Sequence, residues 1–371
     1  MKIAILGTRG IPNNYGGYEQ LAEYLSVGLV KKGHEVTVYN NQLHIYKEKI
    51  YKGVNIRHVY SPENLLGNSA NIIYDYLCLL DSLILKHDII LECGYQSSAI
   101  GYYFAPINRS IIITNMDGLD WKRSKWRPWI QKLTKYFEKL AVKKSHALIA
   151  DNLGMKEYFY DNYGVESHLV TYGTSEPEII NNELLSEFDL TPFRYNLIVA
   201  RLEPENNIEM ILDGYVKSNQ TFEFVVIGNS DTSYGNHLKT KYSNFRKIKF
   251  IGGVYNQDKL NTIRANSNYY FHGHSVGGTN PSLLDAMACS CFVIAHNNNF
   301  NKNVLNENAI YFSDSEEVKI ILNKESLRSS FTTYIKNNLE EIRTNYTWSK
   351  IIDDHEVLFN KLLVVKKNKT S

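Results

Sequence analysis

One feature constrains this chain more than any other: short apolar runs of strand length alternate with helix-length segments, and the series occurs twice. The first series opens with Lys2 to Leu6, a helical stretch from about Tyr18 to Lys32, a stop at Gly33 and a second run from Glu35 to Tyr39. That order is the start of a βαβ unit. Runs at Ile89 to Glu92, Ser110 to Thr114 and Ala147 to Ala150 continue it. These runs are almost wholly apolar rather than alternating, as expected of parallel strands covered on both faces. The second series comprises Tyr195 to Ala200, Glu223 to Ile227, Ile248 to Ile251, Asn268 to His272 and Phe292 to Ala295. A chain of 371 residues is too long for one ordinary core, so each series predicts its own domain. The predicted boundaries are 1–172, 173–350 and a C-terminal helix and tail at 351–371. Gly173 to Phe193, polar and carrying Pro177 and Pro192, reads as the connection. The amphipathic stretch from Trp348 to Val365 lies beyond the last predicted strand and is expected to pack back on the first domain.

Charge removes several function classes. The chain holds 41 basic and 39 acidic residues, a formal net charge of +2, so no global field attracts nucleic acid and none is expected as a partner. Cys78, Cys93, Cys289 and Cys291 form no C-x-x-C pair, which predicts reduced thiols rather than a zinc site or disulfide framework. Met1 runs directly into KIAILG without the charged and longer apolar regions of a signal peptide. The longest apolar run, Ile72 to Leu85, is interrupted by Asp75 and Asp81 and falls short of a bilayer span. The expectation is a cytoplasmic protein, either soluble or peripheral on the inner face of the membrane.

In open parallel sheets, ligands bind beyond the C-terminal ends of the strands, so the loops there are where chemistry is sought. Three carry signals. GTRGIPNNYGGYEQ, residues 7–20, puts Gly16 and Gly17 just before a helix; backbone amides there either receive a diphosphate or sugar oxygen, or the glycines serve only a tight turn. It is not the dinucleotide fingerprint, because G-x-G-x-x-G is absent. LIVARLEPENN, residues 197–207, sets Arg201 just past a strand, where its guanidinium either grips diphosphate oxygens or pairs with Glu203 or Glu205. FHGHSVGGTNPSLLDAMACSCFVIA, residues 271–295, places Gly277, Gly278, Thr279 and Asn280 ahead of Pro281 and a helix starting at Ser282. That reads as a second anion nest. Asp285, one turn inside, either accepts from sugar hydroxyls or offsets the helix dipole.

These segments together resemble glycosyltransferase family 4, and within it the bacterial polysaccharide enzymes that open G-T-R-G-I-P-x-x-Y-G-G-x-E, many of them rhamnosyltransferases. The resemblance spans roughly residues 1–350. It implies an α/β fold of the GT-B type, two Rossmann-like domains facing across a cleft, and retention of anomeric configuration. It also implies a nucleotide-diphosphate sugar as donor co-substrate, dTDP-L-rhamnose being favoured, and a lipid-linked or saccharide acceptor in surface polysaccharide synthesis. The donor set is then Arg9, Gly16, Gly17, Arg201, Asn206, Gly277, Gly278, Thr279, Asn280, Ser282, Leu283 and Asp285. Asp285 corresponds to the second acid of the family's E-x7-E motif. Gly277 stands where the first acid belongs, and Asn206 replaces the usual lysine, so amides at Gly277 to Asn280 have to compensate.

In the first series, TNMDGLDWKRSKW, residues 114–126, follows a strand and carries Asp117 and Asp120. Asp117 is the nearest counterpart of a histidine found in this loop in relatives; it orients the acceptor or steadies a developing oxocarbenium charge, while Asp120 either joins it or caps a helix. Arg201 and Asp117 are the expected catalytic pair. No D-x-D occurs in the chain, so no metal is expected. Residues 121–144 hold nine lysines and arginines interleaved with aromatic and aliphatic residues. Trp126, Trp129, Lys132, Lys135 and Lys139 there either face an anionic membrane or form an ordinary helix with a solvated basic face. The sequence also leaves open a GT-B epimerase, an NAD-dependent oxidoreductase and a non-catalytic sugar-nucleotide binder.

Overall fold

A computed structural model describes the chain except Tyr15, Asn108, Ser124, Lys125, Glu325, Ser326 and Ser371, with Asn68, Lys369 and Thr370 described by backbone alone. Two compact units emerge. The first comprises Met1–Lys122, Trp126–Gly173 and Trp348–Ser371; the second comprises Arg123–Lys125 and Thr174–Thr347.

Among the described residues the first unit holds an eight-stranded sheet. Its strands are β1 (Lys2–Leu6), β2 (Glu35–Asn41), β3 (Ile50–Tyr51), β4 (Val54–Val59), β5 (Ile89–Cys93), β6 (Ile111–Asn115), β7 (Ala147–Ala150) and β8 (His168–Leu169). Their spatial order is β3-β4-β2-β1-β5-β6-β7-β8, and only β3 runs antiparallel to its neighbour. Every residue of β5 and β6 is buried, which is why these runs read as continuously apolar. Connections from β1 lead first toward β2 and β4, then back across to β5. That reversal makes the gap between the ends of β1 and β5 the unit's topological switch point.

The final helix, Trp348–Thr370, belongs to this unit. Trp348 stacks flat on Tyr24 of the helix Gly17–Lys31, with ring centroids 4.3 Å apart, a contact of about 0.5–1.5 kcal/mol beyond its area. Glu356 accepts from Lys32 at 2.8 Å and lies 2.7 Å from His34 Nε2, and Phe359 is fully buried. The expected boundary at residue 350 therefore falls inside a helix, and the change of unit comes at Thr347.

The second unit is built on β9 (Tyr195–Val199), β10 (Glu223–Ile227), β11 (Ile248–Gly252), β12 (Tyr270–His272), β13 (Val293–His296) and β14 (Ile310–Phe312). They form a six-stranded parallel sheet in the order β11-β10-β9-β12-β13-β14 among the described residues. Phe224, Phe271, Phe292 and Phe312 are fully buried in its core with Ile198, Leu212 and Val318. Its switch point lies between the ends of β9 and β12. All four cysteines are buried thiols. No helix among the described residues is long and apolar enough to cross a membrane.

Candidate functional site

Arg201 leaves the sheet just past β9, at the second unit's switch point, with its side chain exposed. The turn behind it is rigid. Arg201's carbonyl accepts from the amide of Glu203 at 2.8 Å and from Asn206 Nδ2 at 2.7 Å, and Asn207 Nδ2 donates to Gly273 O at 2.8 Å. Asn206, expected to face a donor, is 5% exposed; its amide holds the turn instead, because a buried side-chain N–H needs a partner.

The segment after β12 docks on that turn. A Cβ on Gly273 would lie 2.1 Å from Asn206 O, so only glycine permits the approach. Gly277 has φ +127°, a backbone that strains any residue with a side chain.

The expected anion nest at the start of the helix Pro281–Ala288 needs correction. Asn280 caps it, its side chain accepting from Ser282 N at 2.9 Å, while Leu283 N donates to Asn280 O at 2.9 Å. Pro281 has no N–H, so an asparagine cap and a first-turn proline together close the helix end. Ser282 Oγ is engaged as well, 2.6 Å from the Tyr270 hydroxyl and donating to Val199 O at 3.0 Å. Leu283 is a core side chain, 1% exposed. The amides of Gly277 and Gly278 stand ahead of the cap, with Thr279 buried beside them.

Asp285 sits one turn inside this helix. Its Oδ2 lies 3.2 Å from Arg264 Nη1, and its Oδ1 accepts from Thr174 Oγ1 at 2.8 Å. The carboxylate is thus fixed by a buried arginine and retains free lone pairs for further donors. Arg264 escaped the sequence reading; the one signal was a cation at a helix position flanked by Leu260 and Ile263, both buried.

In the first unit, the loop 7–17 follows β1 at that unit's switch point. Here too an anion position is already filled. Glu19, 4% exposed, turns back to the start of its own helix, and its Oε1 accepts from Arg9 N at 2.8 Å. Burial pushes its carboxyl above the usual range. Gly16 is extended and provides no side-chain cap, so the helix end expected to receive a ligand at Gly16 and Gly17 takes the chain's own carboxyl. Arg9's guanidinium lies 3.5 Å from Glu63.

Asp117 follows β6, half-buried, and its Oδ2 accepts from the Tyr172 hydroxyl at 2.8 Å. Tyr18, half-buried and with its phenol pushed far up by desolvation and then by Asp117 and Asp120, brings a hydroxyl toward the same carboxylates. Asp120 is buried at the start of the short turn Asp120–Lys122. Among the described residues, no group of three or more His, Cys, Asp or Glu side chains is arranged to hold a metal ion.

On the helix Pro128–Lys144, Trp129 is 61% exposed and Lys132 and Lys139 are exposed, whereas Trp126 ahead of it is half-buried. Lys135 departs from the expected membrane face. Its Nζ lies 2.7 Å from Glu138 Oε1, hydrogen-bonds the Tyr158 hydroxyl and sits 4.5 Å from the Trp121 ring. Glu138 is fully buried and requires a cation, which turns Lys135 inward. Lys125 lies outside the described residues.

Residues 1–175 match the family model described as a domain of unknown function, DUF1972, and residues 190–337 match the model described as Glycosyl transferases group 1. An uncharacterized glycosyltransferase of Methanocaldococcus jannaschii is 23% identical over 253 residues, which span 62% of this chain and 64% of that protein. Sucrose-phosphate synthase from Thermosynechococcus elongatus superposes with a TM-score of 0.82 at 15% identity, covering 98% of this chain and 99% of that one. Anabaena HepE, solved in complex with UDP-glucose, gives 0.74 at 14% identity over 96% and 99% of the two chains. The fold is GT-B.

Proposed function

We propose that this chain, a glycosyltransferase by its group 1 domain and its GT-B fold, draws its sugar from a nucleotide diphosphate held at the switch point of the second unit. One observation carries the reading: Arg201, exposed at the end of β9 on a turn fixed by Asn206 and Asn207. A planar guanidinium held there suits bidentate contact with diphosphate oxygens. Amides of Gly277 and Gly278 add neutral donors, and Asp285, fixed by Arg264, suits ribose hydroxyls as an acceptor. That HepE was solved with UDP-glucose agrees with a sugar-nucleotide donor.

The favoured reaction is retaining, with the acceptor hydroxyl attacking on the face the diphosphate leaves and passing its proton to a departing phosphate oxygen. No strong protein base is then needed. The protein supplies charge stabilisation of the leaving group and alignment of the substrates. For Asp117, oriented by Tyr172 in the first unit, the role we favour is orienting the acceptor. The donor sugar we favour is L-rhamnose from dTDP-rhamnose, because the opening motif resembles that subgroup, and the acceptor is a lipid-linked or growing surface saccharide. The exposed stripe Trp129, Leu133 and Tyr136, flanked by Lys132 and Lys139, fits contact with an anionic membrane surface where such an acceptor is anchored.

A thermal-shift panel of UDP, dTDP and GDP with their sugars tests the donor class. One nucleotide should stabilise the chain, and Arg201→Ala should lose that shift. Turnover with the stabilising donor should persist in EDTA. An unchanged shift in Arg201→Ala removes this residue from the site, and activity abolished by EDTA and restored by magnesium or manganese overturns the leaving-group account.

A further inference from the structure

β12 ends on His272, whose ring is 1% exposed and has no hydrogen-bond partner at either nitrogen among the described residues. It stacks on His274, ring centroids 4.4 Å apart and planes within 12°. His274 Nδ1 is buried without a partner as well. Three unsatisfied ring nitrogens in one stack are unusual, because buried polar atoms are nearly always paired.

The backbone around the stack is tightly held. His274 O accepts from Asn298 Nδ2 at 3.0 Å and Asn301 Nδ2 at 3.1 Å. Ser275 donates through its amide and its hydroxyl to Glu205 O, at 3.1 and 2.8 Å. With Gly273 seated on Asn206, the His274 ring is locked to the turn that carries Arg201, at the switch point between β9 and β12. Burial holds both imidazoles well below the usual histidine range, His272 down to about 3, and Arg201 adds to the effect on His274. A neutral imidazole has one donor and one acceptor nitrogen. That pairing suits sugar hydroxyls, whereas the neighbouring guanidinium suits an anion.

We propose that His274, set by its stack on His272, is a contact for the transferred sugar of the donor, beside an Arg201 that takes the diphosphate. The assignment rests on the nucleotide-sugar reading of this unit. His272 is a positioning residue, since its ring backs the contact without reaching solvent.

Calorimetric titration of the full chain with UDP against UDP-glucose, and dTDP against dTDP-rhamnose, tests it in wild type, His274→Ala, His274→Gln and Arg201→Ala. For the pair that wild type binds, His274→Ala should weaken the sugar nucleotide about tenfold, the scale of one lost hydrogen bond that leaves a partner unpaired. It should leave the diphosphate within about threefold, and His274→Gln should recover part of the loss. Arg201→Ala should weaken both. Should the histidine variants fold poorly, nitrogen-15 spectra of histidine-labelled wild type replace them, with His274 ring signals shifting more for the sugar nucleotide than for the diphosphate. Equal binding by His274→Ala and wild type while Arg201→Ala loses it, equal loss of both ligands in His274→Ala, or ring signals indifferent to the sugar each overturn the assignment. Failure of wild type to bind any of the four, and GDP and GDP-sugars as well, overturns it together with the nucleotide-sugar reading.

Discussion

Gly273 and Arg201 act as one device although 72 positions separate them. The turn after β9 gives Arg201 its direction, and the absent side chain at Gly273 lets the following loop settle on Asn206 O at a distance that no Cβ would tolerate. Gly273→Ala should therefore push the two loops apart. Expected is a loss of about 1–3 kcal/mol in stability, with a larger fractional loss of nucleotide affinity than a core substitution of equal cost, measured by denaturant unfolding and titration side by side. Affinity that merely tracks stability would make the contact structural only. Arg201 was legible because an arginine directly after a buried run has one natural place, the C-terminal edge of the sheet. Asn206, Ser282 and Leu283 were not, because spacing alone shows neither that Asn206 turns back to Arg201 O, nor that Ser282 Oγ reaches Val199 O on β9, nor that Leu283 packs into the core. His272 and His274 were visible as letters, but their stacking and missing partners become apparent only once β12 is placed beside β9 and β13.

At the level of elements, the helix Pro128–Lys144 shows how far periodicity carries and where it stops. Its amphipathic pattern was plain, and Trp129, Leu133 and Tyr136 do line an exposed face. Tyr103 and Phe104, from the short helix Gly101–Phe104, are exposed as well, and Lys144 Nζ lies 4.2 Å over the Tyr103 ring. The inward turn of Lys135 was hidden, because Glu138's other partners, Tyr95, Tyr158 and Tyr163, come from distant segments. Two variants, one double and one single, separate the roles. Lys132→Ala with Lys139→Ala should reduce co-sedimentation with phosphatidylserine vesicles, by about tenfold or more given roughly 1 kcal/mol per cation, without changing stability. Lys135→Ala should instead cost about 3 kcal/mol by leaving the buried Glu138 without a cation and leave vesicle binding of the folded protein intact. Vesicle binding insensitive to the paired surface variant would end the membrane proposal.

On the scale of the molecule, the same plan is used twice: a parallel sheet whose connections reverse direction, with the loops at the reversal carrying charge. The doubled series of apolar runs made that plan legible, and the amphipathic stretch beyond the last strand pointed to the return of the last helix to the first unit. What it left open is which reversal point holds the nucleotide. In the first unit Glu19 already sits at the helix start, and its carboxyl repels a diphosphate once ionised. In the second unit Arg201 is exposed and Gly277 and Gly278 carry no side chains. Hydrogen exchange of the whole chain, with and without the stabilising nucleoside diphosphate, reads this directly. Slowed exchange should fall on peptides covering 200–207 and 272–286. Protection confined to peptides covering 7–20, or none anywhere at saturating nucleotide, would contradict the account.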